Sequence, residues 1–128
     1  MKLLLAAAAI LSGLAVPASA TEWLICSDGE GKASFSVLLG SLGIGSATDF
    51  KVEAGGKSWS TKPGEGIAIV KSQAFENDAI LLADVSTEDQ SQLVAELRLF
   101  KAHEGDDDVQ SGTLRVSGIG AWAVTCED

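Results

Sequence analysis

Apolar and polar side chains alternate along most of the chain from residue 22 onward, as they do in half-buried β-strands. The clearest case is residues 48–54, where Phe50, Val52 and Ala54 share one face and charged side chains share the other. Because successive side chains of a strand point to opposite faces, one side of this segment is predicted to face a core. Residues 33–39 alternate in the same way, with a predicted inward-facing set of Ala33, Phe35, Val37 and Leu39.

Two pairs of these predicted strands are separated by short turn sequences and should form hairpins. Gly55 and Gly56 directly follow the 48–54 strand, and glycines readily adopt the positive φ angles of a two-residue hairpin turn. Residues 57–61 are therefore predicted to return antiparallel, with Trp59 available for packing. A second hairpin is predicted from turn residues Asn77 and Asp78 between residues 67–75 and 79–85.

Residues 86–100 fit two kinds of secondary structure. Ser86 and Asp89 resemble the start of a helix. A helix would align Leu93, Val94, Leu97 and Phe100, whereas a strand would align Leu93, Ala95, Leu97 and Leu99. Because the surrounding pattern is β, we expect a short helical turn over residues 87–92 followed by a strand to about Ala102.

The remaining sequence completes an all-β pattern. Residues 104–108 are predicted to form an acidic turn, and residues 109–117 and 121–126 to form the last two strands. About eight or nine strands at roughly 12-residue spacing predict a small antiparallel barrel or sandwich.

The first 20 residues have the features of a secretory signal peptide. Lys2 gives the positive start, residues 3–16 form an apolar core, and Ala18-Ser19-Ala20 is a small-residue cleavage site. A retained anchor would need roughly 18 uninterrupted apolar residues, and polar or helix-breaking residues shorten this run. We expect cleavage before Thr21, no membrane insertion afterwards, and one periplasmic or secreted β domain over residues 21–128.

The two cysteines lie in the first and last predicted strands. Cys26 and Cys126 are predicted to form a disulfide, because an exported chain reaches an oxidising compartment. A metal site is disfavoured because it needs about four ligands and the chain has one histidine, His103. The bond would make the two strands neighbours, which favours a barrel over a sandwich.

The charge balance limits the classes of partner. The net charge is −9, and removal of residues 1–20 takes away one lysine and no acid. Such an excess repels nucleic-acid phosphates and anionic lipid headgroups, so an electrostatically attracted partner should be a basic protein. The same acidity also favours solubility, and we expect a monomer.

No arrangement in the sequence predicts catalysis, a cofactor or a metal centre. His103, the single conventional base, precedes an acidic turn and is expected on the surface. The carboxylates are expected in turns or on polar strand faces, where burial does not raise their pKa. Residues 28–32 lack both a phosphate-binding pattern and the glutamate that would close a calcium loop, since Leu39 stands there. Residues 104–108 fit a solvated turn better than a weak calcium site.

Three tryptophans, Trp23, Trp59 and Trp122, lie in alternating segments. Each is expected to fill the core, although an exposed tryptophan would favour a binding surface.

The segment Trp23 to Gly29 near the mature start, together with Cys126 near the end, resembles the layout of the small periplasmic inhibitors of c-type lysozyme. The resemblance implies an antiparallel barrel closed by a disulfide and an inhibitory Ser-Gly-x-x-Tyr loop. In this chain a glycine replaces the serine and a tryptophan the tyrosine, and the chain is longer than the family's usual domain. The candidate partner-binding residues are Gly55, Gly56, Lys57, Ser58 and Trp59.

Together these features predict an exported, non-catalytic β domain of the cell envelope that binds a protein or a ligand. The alternative is a periplasmic inhibitor of c-type lysozyme acting through the hairpin of residues 55–61.

Overall fold

The computed structural model describes residues 21–128 together with Gly13, so the predicted signal peptide otherwise lies outside the described residues. Nine β-strands form one closed barrel, and a single 3-10 turn, Ile44–Ser46, is the one helical element in this part of the chain. The strands are β1 Glu22–Ser27, β2 Ala33–Leu39, β3 Phe50–Ala54, β4 Lys57–Ser60, β5 Ile67–Glu76, β6 Ile80–Thr87, β7 Leu93–Glu104, β8 Asp107–Val116 and β9 Gly120–Glu127.

Each strand pairs with the next one in sequence, and β9 pairs with β1 to close the barrel. All neighbours are antiparallel except β4 and β5, which are parallel. This finding confirms the predicted all-β fold and selects the barrel over the sandwich. Strand direction places the Gly55-Gly56 turn at one end, called here the hairpin end, and the β7–β8 turn at the other, called the acidic end.

The predicted disulfide is present at the closing seam. Cys26 on β1 and Cys126 on β9 are directly paired, and their sulfur atoms lie 2.06 Å apart. The bond joins residues 100 positions apart in the chain. It therefore fixes the first and last strands as neighbours.

The barrel interior is filled by the apolar sets that the alternation predicts. Phe35, Phe50 and Val52 are fully buried, and the rings of Phe35 and Phe50 meet edge to face with their centroids 6.0 Å apart. Leu39, at the end of β2, is half-buried against this core. The core sits inside one closed sheet, and the alternate side chains cover its exterior.

A β-bulge changes which side chains of β5 face inward. Lys71 pairs with Val85, but Gln73 pairs with the preceding residue of β6, Asp84, so Ser72 is the extra residue. A one-residue shift reverses the faces of a strand. Beyond the bulge, Glu76 lies on the interior side and Phe75 on the exterior.

A second register shift lies at the start of β7. Val85 pairs with Ala95 while Ser86 pairs with Leu93, which leaves Val94 as the extra residue. Ala95 is buried as predicted, but Leu93 is 41% exposed. The predicted common face of these two residues is therefore wrong at Leu93, because the bulge turns that side chain outward.

Residues 87–92 form a hairpin loop instead of the expected helical turn. Gln90 donates its N–H to the carbonyl of Thr87 at 2.8 Å, and Thr87 in turn donates to the carbonyl of Gln92. The Asp89 carboxylate accepts hydrogen bonds from the hydroxyls of Thr87 and Ser91, which lowers its pKa to about 2. These local side-chain bonds satisfy the loop without further helical turns.

The segment around the 3-10 turn covers the acidic end of the barrel. Ile44 is fully buried, and its N–H donates to the Glu76 carboxylate at 2.8 Å. Lys101 donates to the other oxygen of that carboxylate at 2.6 Å, and Lys71 donates to the carbonyl of Gly45. Interior polar groups thus hold this loop across the barrel opening.

Candidate functional site

The predicted β3–β4 hairpin is present at the hairpin end of the barrel. Gly55 and Gly56 have φ angles of 58° and 76°, which are the positive values that a two-residue turn requires. Residues 55–58 are exposed, but Trp59 is only 8% exposed and belongs to the core. The hairpin therefore offers its turn, Lys57 and Ser58 to a partner, while the Trp59 ring packs inside.

This hairpin borders a shallow cleft of about 310 Å³. Its lining is mainly polar and includes Lys32, Ser34, Glu53, Lys57 and Ser58. Small-molecule sites are usually deeper and mostly apolar. The cleft is better suited to polar surface contacts than to enclosing a ligand.

The three tryptophans occupy different environments. Trp59 is buried, and Trp122 is half-buried and packs against the core. Trp23 is half-buried on the barrel exterior, where the Lys51 ammonium lies 5.1 Å from its ring centroid. The expectation of core packing is thus confirmed for Trp59 and Trp122 and is wrong for Trp23, because odd-numbered residues of β1 face outward.

His103 lies on the surface at the acidic end, as predicted, with 68% of its side chain exposed. Its Nδ1 contacts the carboxylate of Asp108 across the β7–β8 pair. Within residues 21–128, no group of three or more histidine, cysteine, aspartate or glutamate side chains is placed to hold a metal ion. In the same range, no helix has the length and apolar character needed to cross a membrane.

Besides Glu76, which faces the interior, Asp84 also departs from the expected solvated positions. Asp84 points outward from β6, yet it is only 4% exposed because the Arg98 guanidinium covers it. The two groups form a bidentate pair with nitrogen–oxygen distances of 2.6 and 3.2 Å, and this hydrogen bonding raises the pKa of Arg98. Arg115 extends the network by binding Glu96 at 2.7 Å. Alternation alone could not reveal this burial.

A second unpredicted feature is an apolar area on the exterior of β5–β8. Phe100 is 75% exposed, Val109 53% and Phe75 48%. Strand register makes the area continuous, because Phe75 pairs with Leu82, Ile80 with Phe100, and Ala102 with Val109. We call this surface the aromatic face and define it by Phe75, Ile80, Leu82, Phe100, Ala102 and Val109.

Beyond the aromatic face, the next outward-facing side chains of β7 and β8 toward the acidic end are acidic. Glu104 and Asp107 pair with each other, two residues beyond Ala102 and Val109 on the same outward side. We define the acidic border as Asp78, Glu104, Asp106 and Asp107, all of which are exposed. Across residues 21–128, none of these four carboxylates forms an ion pair.

The sequence contains part of the signal for this surface. The strand alternation of β7 predicts that Phe100 lies opposite Leu97 and Leu99, but the helical alternative placed it on a buried face. Phe75 faces outward only because of the bulge at Ser72. No family model, curated protein or solved structure matches the chain.

Proposed function

We propose that the protein is an exported, non-catalytic module of the cell envelope that binds another protein through the aromatic face. The observation that carries this proposal is the exposure of Phe100 and Phe75 on one continuous apolar surface. Soluble monomers rarely leave a large contiguous apolar area in water, and such areas are typical of interaction sites. Aromatic side chains also supply much of the binding energy in protein interfaces.

The shape of the surface favours a macromolecular partner. Phe75 and Phe100 lie exposed on the exterior of the barrel wall, whereas small ligands are usually bound in concave pockets. Burial of two phenylalanine rings needs an opposing surface of similar extent, which a protein provides.

The packing beneath the face supports binding without rearrangement. Leu81, Leu97 and Leu99 alternate with the exposed residues and are almost completely buried in the core. Strand pairing fixes the spacing between neighbouring columns at about 4.8 Å. A surface held in this way loses little conformational entropy when a partner binds.

The disulfide is compatible with an extracellular or periplasmic protein. We also propose that residues 1–20 are cleaved, which would release the described domain into the compartment where the bond forms.

Site-specific photo-crosslinking in the producing cells tests the function. A benzoylphenylalanine at position 100 or 75 should give a discrete covalent adduct with another protein, because both side chains face outward. The matched control is the same group at Lys62, an exposed residue between β4 and β5. Absence of adducts at both aromatic positions, or equal adducts at position 62, would refute binding through this face.

The second candidate is inhibition of c-type lysozyme through the hairpin of residues 55–61. The observation that favours it is the exposed hairpin at one end of the barrel, with Lys57 and Ser58 accessible. Oxidised residues 21–128 should then slow lysozyme at micromolar concentration, and Lys57→Ala with Ser58→Ala should weaken the effect. Phe100→Ala serves as the control, since it lies on another surface. Full lysozyme activity at that concentration rules out this candidate.

A further inference from the structure

We infer that the partner segment recognised by the aromatic face is a basic amphipathic polypeptide, with apolar side chains on the phenylalanines and lysine or arginine side chains against the acidic border. This inference rests on the proposed function, because it specifies the chemistry of a partner for the same surface.

The first support is the position of charge relative to the apolar residues. Glu104 on β7 and Asp107 on β8 face outward like Ala102 and Val109. Each lies two residues nearer the acidic end than its apolar neighbour on the same strand. Asp78 lies in the turn two residues before Ile80, which is the first residue of β6. A chain lying across the exposed phenylalanines therefore meets carboxylates at one edge of its contact.

The second support is that these carboxylates have no cationic partner within the part of the chain that the structure describes. Lys101 and His103 are the nearby basic side chains on β7, and they contact Glu76 and Asp108. Asp78, Glu104, Asp106 and Asp107 have no ion-pair partner within residues 21–128. Cations from another protein would reduce the repulsion among them.

At the opposite edge of the face, the nearby cation, Arg98, already has an anionic partner. Arg98, next to Leu82 across the β6–β7 pair, is engaged by Asp84 in a bidentate contact. A charged group of the partner at that edge would therefore add little binding free energy. The asymmetry orients the partner, with its apolar residues near Phe75 and Phe100 and its basic residues toward the β7–β8 turn.

A second copy of this chain is a poorer occupant. The protein carries 18 acidic and 9 basic residues, so two copies of it repel each other electrostatically. An anionic lipid surface is disfavoured for the same reason, since like charges repel at the distances of such contacts.

The energetic roles of the two regions should differ. Burial of the phenylalanine rings supplies most of the affinity, because aromatic residues at the centre of an interface dominate its binding energy. The exposed carboxylates at the edge should mainly affect the association rate and the salt dependence. Both contributions can be separated by substitution.

The test uses the disulfide-bonded domain of residues 21–128 and two synthetic peptides. The probe is an amphipathic helix of leucine and lysine, about 18 residues or five turns long, and its counterpart carries glutamate in place of lysine. Calorimetry measures affinity, and amide chemical shifts of the labelled domain locate the contact. We expect the lysine peptide to bind with micromolar affinity at the aromatic face and the glutamate peptide not to bind.

Matched variants separate the apolar and charged contributions. Phe100→Ala should weaken binding of the lysine peptide about tenfold or more. Ile67→Ala, at a 51% exposed apolar residue at the start of β5, should leave the affinity unchanged.

The double change Glu104→Gln with Asp107→Asn should reduce the salt dependence of the peptide affinity between about 0.05 and 0.5 M. The same charge removal at Glu30 and Glu88, at the hairpin end, should have a smaller effect. All these side chains are exposed, and thermal unfolding followed by circular dichroism checks that each variant is folded.

Several outcomes would overturn the inference. They are binding of both peptides alike, shifts confined to the hairpin end, or a domain that sediments as a dimer dissociated by Phe100→Ala. If photo-crosslinks form at positions 75 and 100 but the lysine peptide does not bind, the partner chemistry is wrong while the proposed function stands. If crosslinks also fail, both are wrong.

Discussion

At the scale of single residues, Glu76 connects the barrel wall to the loop that covers the acidic end. Its carboxylate accepts the N–H of Ile44 through one oxygen and the ammonium of Lys101 through the other. Partial burial raises the pKa of Glu76, but the two hydrogen bonds outweigh it and leave the pKa below its usual 4.5. The ionised form therefore stabilises the folded state.

The pH dependence of this contribution has a definite sign. A carboxyl whose pKa is lowered by folding stabilises the protein above its unfolded pKa, and the stability is lost as pH falls through the folded pKa. Glu76→Gln should cost about 1 to 3 kcal/mol near neutral pH, because a charged hydrogen-bond partner is removed. Urea unfolding should show that this difference shrinks below about pH 4. Glu53→Gln, on the exposed face of β3, is the control; an equal loss there would contradict the role of Glu76.

At the scale of structural elements, bulges and loops decide which strand residues are available for function. Ser72 in β5 shifts the register so that Phe75 faces water and Glu76 faces the interior. The 3-10 turn then uses Glu76 as its hydrogen-bond acceptor. One inserted residue therefore helps to create both the aromatic face and the support for the loop at the acidic end.

The glycines before and within the 3-10 turn provide a matched test of this arrangement. Gly43 has a φ of 76°, and a Cβ atom there would collide with the Glu76 carboxylate. Gly45 has no positive φ, and a methyl group added to it would extend into open space. We expect Gly43→Ala to destabilise the domain by about 1 to 3 kcal/mol and Gly45→Ala to change stability by less than about 0.5 kcal/mol. Chemical denaturation of both variants measures the difference, and equal stabilities would show that the loop relaxes without cost.

At the scale of the whole molecule, the chain is a barrel whose two terminal strands complete the sheet. Every other strand pair joins neighbours in sequence, but the β1–β9 pair must form between segments about a hundred residues apart. Such contacts are entropically expensive to form from an open chain. The disulfide lowers that cost by restricting the unfolded ensemble.

Removal of the disulfide should therefore lower stability strongly. Cys126→Ser is expected to cost about 2 to 5 kcal/mol in urea unfolding. Reduction of the unmodified protein should produce a similar loss, while the variant should not respond to the reductant. Intact mass after aerobic export should show no free thiol in the mature protein, and two free thiols would contradict the predicted oxidised state.

Much of the fold follows from local physical rules that the sequence displays. The alternation around Phe50 and Val52 predicts a strand with one buried face, and Gly55-Gly56 predicts its hairpin. The expectation of export, together with one cysteine in each end strand, predicts the bond that joins these strands. These features depend on neighbouring residues or on the compartment, and the structure confirms the buried face, the hairpin and the bond.

The candidate site was less accessible to prediction. The sequence predicts the hairpin of residues 55–59, but the burial of Trp59 depends on the interior formed by all nine strands. Asp84 belongs to a polar strand face by alternation, and only the Arg98 side chain from the next strand covers it. Both environments arise from residues distant in sequence.

The sequence by itself determined the all-β class, the hairpin turns, the inward-facing sets of β2 and β3 and the acidic balance, because these follow from side-chain period, turn chemistry and charge. Only the tertiary structure decided the strand register. The bulge at Ser72 sets Phe75 beside Leu82, and the pairing of β6, β7 and β8 joins Phe100 and Val109 to the same surface. Register depends on the packing of whole strands against their neighbours, so the aromatic face exists only once the barrel is closed.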